Sequence, residues 1–272
     1  MTNVIDCHVH SKISIDSDVP MKIHCQKAIE QGLKGVIFTD HWDFDPTDSG
    51  YNYYDYNAAK EQIDQVKETF PELKILHGVE ITYQKKYQDK ISSILETHEF
   101  DYVIGSVHII SLDEEKIVID LPEMENTWLI HVLKRLIEQY YLTISDLITS
   151  KLFDTVGHLD MFKRYMPPEK LVEIKKSGKK SYLDCLKKLI DNDMTLEINT
   201  SAYRHGHSLT YPSINIIKDY YKMGGRKLVL ASDAHQKEHL AYNFRKLILK
   251  LKTIGFDHAY FYEKRERHSY PL

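Results

Sequence analysis

The stretch VIDCHVH, residues 4–10, is a short apolar run that ends in two histidines one residue apart. Side chains of an extended strand alternate, so His8 and His10 leave such a strand on one face. A lone H-x-H is weak evidence. Two hydrogen-bonded or exposed histidines account for it as well as a shared metal ion does, until further ligands appear. Working outward, short apolar runs recur at residues 35–41 (GVIFTDH), 74–83 (KILHGVEITY) and 102–110 (YVIGSVHII). It returns at 154–160 (DTVGHLD), 195–201 (TLEINTS) and 228–235 (LVLASDAH). These runs are rich in β-branched residues and nearly continuous in hydrophobicity, as parallel strands buried on both faces should be.

Helical patterns separate them. Residues 20–31 open on Pro20 and stop at Gly32, and 57–70 end before Pro71. Residues 124–140, 179–191, 213–223 and 238–254 follow, their lysine-rich faces reading as solvated surface. Strand–helix alternation repeated seven times predicts an α/β chain with a parallel sheet. The length of 272 residues predicts closure into a TIM-like barrel and one domain spanning residues 1–272. An eighth run at 256–262 is expected to add a strand or a closing segment, and the tail after it to lie exposed.

Composition narrows the function. The net charge of −4 argues against a nucleic-acid partner, which usually calls for a basic surface. Three cysteines, Cys7, Cys25 and Cys185, leave at least one unpaired and form no C-x-x-C, which fits a reducing compartment. No apolar run approaches the ~18 residues of a membrane span, and the first residues lack a signal-peptide pattern. The expectation is a soluble cytoplasmic protein without a membrane partner, monomeric or homodimeric.

Six of the fifteen histidines fall at or just before a predicted strand end: His8, His10, His41, His108, His158 and His235. Glu80 and Asp233 share that edge, where parallel barrel strands converge on one mouth. Each residue alone has an ordinary explanation: a hydrogen-bonded core histidine for His158, a lysine partner for Glu80. Gathered at one buried mouth they would be electrostatically costly without a cation. Imidazole and carboxylate suit zinc, manganese or iron, and softness alone does not choose among them.

The ordered set HVH, FTDH, GVE, SVH, GHLD and SDAH resembles the polymerase-and-histidinol-phosphatase (PHP) superfamily. The longer matches DCHVHSKISIDSDVPM, GLKGVIFTDH, GHLDMFKRY, LEINTSAYR and LASDAH resemble its histidinol-phosphate phosphatase branch, and the likeness spans nearly the whole chain. The resemblance implies a distorted seven-stranded (βα) barrel with a centre of three divalent metal ions. By position, it assigns His8, His10, Glu80 and Asp233 to the first ion. The second takes the bridging Glu80 with His108 and His158, and the third takes Asp16, His41 and His235. Asp18 competes with Asp16, its ordinary role being to cap the helix that Pro20 opens.

The implied activity is hydrolysis of L-histidinol phosphate to L-histidinol and phosphate, in histidine biosynthesis. Phosphate monoesters demand accelerations up to ~10^21, far beyond the ~10^2–10^4 of one general base. Metal ions ionise water near neutral pH and clamp phosphoryl oxygens. A hydroxide bridging the first two ions, held by Glu80 and Asp233 among others, is the expected nucleophile. Three divalent ions less three carboxylates and that hydroxide leave about +2 at the mouth, against about −2 on the ester. Arg164 and Arg204, just past strand ends, are the candidates to hold phosphate, with Lys163 a weaker one. His207 is a candidate acid for the leaving group. Residues 42–56, acidic and aromatic, and 111–116, with Asp113 to Glu115, are candidates to read the amine and imidazole of histidinol. Rival readings are a phosphoesterase for nucleotides, nucleic-acid ends or phosphotyrosine, a barrel deaminase or amidohydrolase, and a metal-stabilised barrel without catalysis.

Overall fold

The computed structural model describes residues 3–113, 115–119, 130–166, 170, 174, 178–205 and 210–272. The first run folds as β1 (Ile5–Val9), followed by α1 (Met21–Gln31), β2 (Gly35–Phe38) and α2 (Tyr56–Thr69). Next come β3 (Lys74–Thr82), α3 (Gln88–Thr97) and β4 (Tyr102–Ser106). A hairpin of β5 (Ile109–Leu112) and β6 (Glu115–Val118) precedes α4 (Ile130–Ser150) and the short β7 (Thr155–Val156). The chain continues through α5 (Lys179–Asp191), β8 (Thr195–Asn199), α6 (Ile214–Lys222), β9 (Leu228–Ala231) and α7 (Phe244–Ile254). It ends in β10 (His258–Glu263) and β11 (Glu266–Pro271).

The main sheet runs β1-β2-β3-β4-β7-β8-β9-β10-β11 and is parallel up to β10, with β11 antiparallel to it. β1, β2, β4, β8 and β9 are buried at every position, so their sequences show no alternation. The first strand also bonds to the residues that follow β9: His10 N–H donates to Ala234 O at 2.9 Å, and Asp233 N–H to His8 O at 2.8 Å.

One face of the strands changes character along its length. Near the strand starts it carries the apolar cluster of Ile5, Cys7, Ile37, Leu76, Tyr102, Ile104 and Val229. Two and four residues further on come Glu80, Ser106, His108 and Asp233, all buried. In β1 the register shifts between Asp6 and Val9, which lets His8 and His10 share the face of Ile5 and Cys7. Gly157 brings β7 close to β4, because a Cβ there would collide with Ser106 Oγ. That approach places His158.

The structure departs from the sequence reading at several elements. α4 ends at Ser150 rather than 140, because Tyr140, Tyr141, Ile144, Leu147 and Ile148 continue its buried stripe through a β-branched stretch. The start expected at 124 lies outside the described residues. The 102–110 run breaks after Ser106, and the chain resumes as the β5–β6 hairpin. α7 begins at Phe244 rather than 238, after a 3-10 turn at Lys237–His239 and a left-handed Asn243. The tail is not simply exposed: it forms β11, with Tyr270 buried and its hydroxyl 3.5 Å from Ile5 O. α3 was not anticipated.

His77, on the outer face of β3, makes stability depend on pH. Its Nε2 lies 3.1 Å from Tyr54 Oη, its ring stacks on Tyr56, and burial pushes its pKa down to about 4. Between an unfolded value near 6.5 and that folded value, the unfolded chain binds the extra proton, so stability falls as pH falls. At pH 5 the loss is about 2 kcal/mol. His77→Gln, which keeps a polar atom for Tyr54, is expected to lose less stability than the parent between pH 7 and pH 5 in urea unfolding. Equal losses would remove His77 as the source.

Candidate metal centre

The nine side chains expected at the mouth are brought together by the ends of β1, β2, β3, β4, β7 and β9. His8 Nε2 lies 2.9 Å from His10 Nε2 and 3.1 Å from Glu80 Oε2. Asp233 Oδ1 stands 3.4 Å from His10 Nε2. The other oxygen of Glu80, Oε1, lies 2.9 Å from His158 Nε2 and 3.7 Å from His108 Nε2. Ser106 Oγ donates to the same oxygen at 2.5 Å. Thus one carboxylate faces one histidine pair with each oxygen. Asp16 Oδ2 lies 2.7 Å from His235 Nε2 and 3.5 Å from His41 Nε2. Asp16, not Asp18, makes these approaches, and Pro20 rather than Asp18 stands at the α1 N-cap, with no side-chain cap bond.

Outer contacts turn the imidazoles inward. His8 Nδ1 lies 2.8 Å from Glu197 Oε2, His10 Nδ1 3.1 Å from Ser14 Oγ, and His108 Nδ1 2.8 Å from Thr82 Oγ1. His235 Nδ1 meets the Asp233 carbonyl at 3.0 Å. Such contacts fix the ring and leave Nε2 with its lone pair directed at the centre. Glu197 does more: its Oε1 accepts from His158 N–H at 2.9 Å and from Asn199 Nδ2 at 2.8 Å. Ligand atoms of three groups each lie within 4.8 Å of one another: His8–His10–Asp233, Glu80–His108–His158 and His10–Asp16–His41–His235. Converging nitrogens and carboxylate oxygens, with those rings fixed from behind, fit divalent cations.

The electrostatics agree. Burial raises the carboxyl pKa values of Glu80 and Asp233, yet charge on His8 and other histidines holds both well below the ordinary range. Burial lowers His8, but Glu197, Glu80 and Asp233 outweigh it and hold its pKa well above normal. His10 is pushed down to about 3 by burial and by His235 and His41. Ionised carboxylates here therefore demand positive charge, which protons or divalent ions can supply.

These groups open on a cavity of about 330 Å³ that Arg164 also lines. Arg164 Nε donates to His205 Nε2 at 3.0 Å. Arg204 donates to the carbonyls of Ser232 (2.6 Å) and Asp233 (2.8 Å), which tethers the end of β9. Lys163 pairs with Asp160. His207 lies outside the described residues. From the 42–56 segment, Asp43, Thr47, Asp48 and Ser49 reach the cavity wall. Asp45 anchors that segment, bonding Lys86 after β3 and Lys116 of β6 at 2.8 Å each. In the 111–116 segment, Asp113 pairs with Arg135, and Glu114 lies outside the described residues.

Sequence reasoning missed Glu197 and did not single out Asp43 within the 42–56 segment. Glu197 left a signal: a charged residue in the middle of the apolar run TLEIN. Among the described residues, no helix is long and apolar enough to cross a membrane.

Comparison with known proteins places this geometry. A probable histidinol-phosphatase of Clostridium acetobutylicum is 28% identical over 270 residues, covering 96% of this chain and 98% of that one. The histidinol-phosphatase of Lactococcus lactis subsp. lactis is 26% identical, covering 93% of this chain and 91% of its own. The crystal structure of the Lactococcus lactis histidinol phosphate phosphatase, a complex with zinc, L-histidinol and phosphate, shares the fold. Its TM-score is 0.82 at 23% identity, covering 97% of this chain and 98% of that one. The PHP domain model matches residues 6–201, which hold seven of the nine converging residues, and the chain belongs to the PHP domain family.

Proposed function

We propose that this chain is a metal-dependent histidinol-phosphatase that hydrolyses L-histidinol phosphate to L-histidinol and inorganic phosphate. The observation that carries the reading is Glu80, whose two oxygens face two separate imidazole pairs inside a cavity that an arginine lines. The relatives' activity supports the choice of substrate.

His8, His10, Glu80 and Asp233 would hold one ion, Glu80, His108 and His158 a second, and Asp16, His41 and His235 a third, with zinc, manganese or iron suiting the donors. Bound ions supply ionised water near neutral pH and neutralise phosphoryl oxygens. The protein's part is to position. Glu80 and Asp233 hold negative charge between the imidazoles, and Arg164 offers N–H donors to the phosphoryl oxygens. Arg204 uses two donors on the backbone at Ser232 and Asp233 and has further N–H groups for phosphate. We read β1 to β4 with β7 to β9 as a closed, distorted seven-stranded barrel and residues 1–272 as one domain. The bonds between β1 and the residues after β9 support closure. Buried free Cys7, Cys25 and Cys185 suit a reducing cytoplasm.

The test is release of phosphate by metal-loaded protein from L-histidinol phosphate, beside a phosphotyrosine peptide and single-stranded DNA. Turnover on histidinol phosphate should exceed the others by orders of magnitude, and comparable rates on DNA or peptide would overturn the reading. Arg164→Ala is expected to raise KM for L-histidinol phosphate about 10- to 100-fold, as loss of a charge-assisted contact to substrate. If neither KM nor kcat moves, Arg164 does not touch the phosphate.

A further inference from the structure

Asp43 is a carboxylate that the proposed metal chemistry leaves unused. It lines the cavity from the 42–56 segment and is 5% exposed, and its Oδ1 is buried without a hydrogen-bond partner. Its Oδ2 lies 4.0 Å from His41 Nδ1. Asp48 lines the same wall, with Oδ1 accepting from Gly50 N–H at 2.8 Å. Gly50 leaves room for the Asp43 carboxylate, because a Cβ there would lie 2.7 Å from Oδ2.

A metal ion is the first occupant to consider, since ligand atoms of His41, Asp43 and His108 lie within 4.8 Å of one another. Those histidines already belong to the ligand groups described above. His41 faces Glu80 Oε2 with Nδ1 at 3.3 Å and Asp16 Oδ2 with Nε2 at 3.5 Å. His108 turns Nε2 to His158 at 3.2 Å and Nδ1 to Thr82 at 2.8 Å. His41 Nδ1, 4.0 Å from Asp43 Oδ2, has no hydrogen bond of its own, so metal content in an Asp43 variant separates an ion from an ammonium.

A phosphate ester bound beside Arg164 would find Asp43 repulsive unless a positive charge stood between them. A buried, unpaired carboxylate oxygen is also costly until a donor reaches it. A substrate that carries its own cation meets both demands. A primary ammonium is compact and has three N–H donors, enough for Asp43 Oδ1 and for the Asp48 carboxylate on the same wall.

We infer that Asp43, seconded by Asp48, is the specificity determinant of this site, and that it binds the primary ammonium of an aminoalkyl phosphate ester. The inference rests on the phosphatase reading above and adds which part of the substrate the 42–56 segment reads.

The experiment compares L-histidinol phosphate with its des-amino analogue, 3-(imidazol-4-yl)propyl phosphate, using metal-loaded wild type, Asp43→Asn and Gly50→Ala, with metal content measured in each. Wild type is expected to prefer the amine-bearing ester by about 100-fold or more in kcat/KM, since sites built to bond an N–H reject analogues lacking it. Asp43→Asn should collapse that ratio at least 30-fold with metal content as in wild type. Gly50→Ala, which displaces the carboxylate without removing it, should reduce the ratio in part. Equal kcat/KM on the two esters in wild type would overturn the inference and leave the phosphatase reading standing. So would equal losses on both esters with lost metal in Asp43→Asn, which would make Asp43 a metal ligand. No phosphate release from either ester by wild type would overturn the phosphatase reading, and the inference with it.

Discussion

Glu80→Gln is expected to lower turnover on L-histidinol phosphate by at least about 10^4-fold while the chain stays folded. The carboxylate stands between two imidazole pairs, 3.1 Å from His8 on one side and 2.9 Å from His158 on the other. The amide keeps the volume, loses the negative charge, and turns an NH2 toward one of those pairs. Ions held by those pairs would then lose the anion between them, and with it most of the acceleration that such ions would supply. Removing one partner of a buried charge set costs about 3–5 kcal/mol, within the range a domain of this size can lose and still fold. Circular dichroism and metal content should be measured beside the rate. A folded Glu80→Gln protein within tenfold of the parent rate would remove Glu80 from the centre.

The second large effect falls on a residue that touches no substrate. Glu197 binds His8 through Nδ1 and His158 through its backbone N–H, so one buried side chain positions members of two groups. Glu197→Gln keeps its shape and weakens both contacts, and a 10- to 100-fold loss in metal affinity or rate is expected. The diagnostic readout is a metal titration: activity of Glu197→Gln should climb with added metal toward the parent value. Glu197→Ala would strand His8 Nδ1, the His158 amide and Asn199 Nδ2, at about 1–3 kcal/mol for each orphaned buried group. A Glu197→Gln protein with parental metal affinity and rate would show that the contact is structural only.

What the sequence discloses depends on how local the cause is. His8, His10, His41, His108 and His158 could be placed because each ends a run whose apolar character is visible within ten residues. The shared face of His8 and His10 followed from strand alternation, whereas the register shift in β1 that turns them to the face of Ile5 and Cys7 did not. α3 was overlooked although its helical periodicity matches that of α2, and the β5–β6 hairpin was hidden because the apolar run 102–110 continues across the break after Ser106. Roles that depend on partners distant in the chain were the least legible. Asp113 looked like a mouth residue and pairs with Arg135. Arg204, read as a phosphate holder, also spends two donors on the backbone at Ser232 and Asp233, which nothing local announces. Glu197 sits in a strand where nothing local separates an orienting carboxylate from a paired one.

The most direct test is elemental analysis of protein purified without chelator, paired with phosphate release from L-histidinol phosphate before chelation, after it, and after metal is restored. The predicted result is three divalent ions per chain, with activity that disappears and returns with them. Full activity in protein shown to hold no metal would contradict the account.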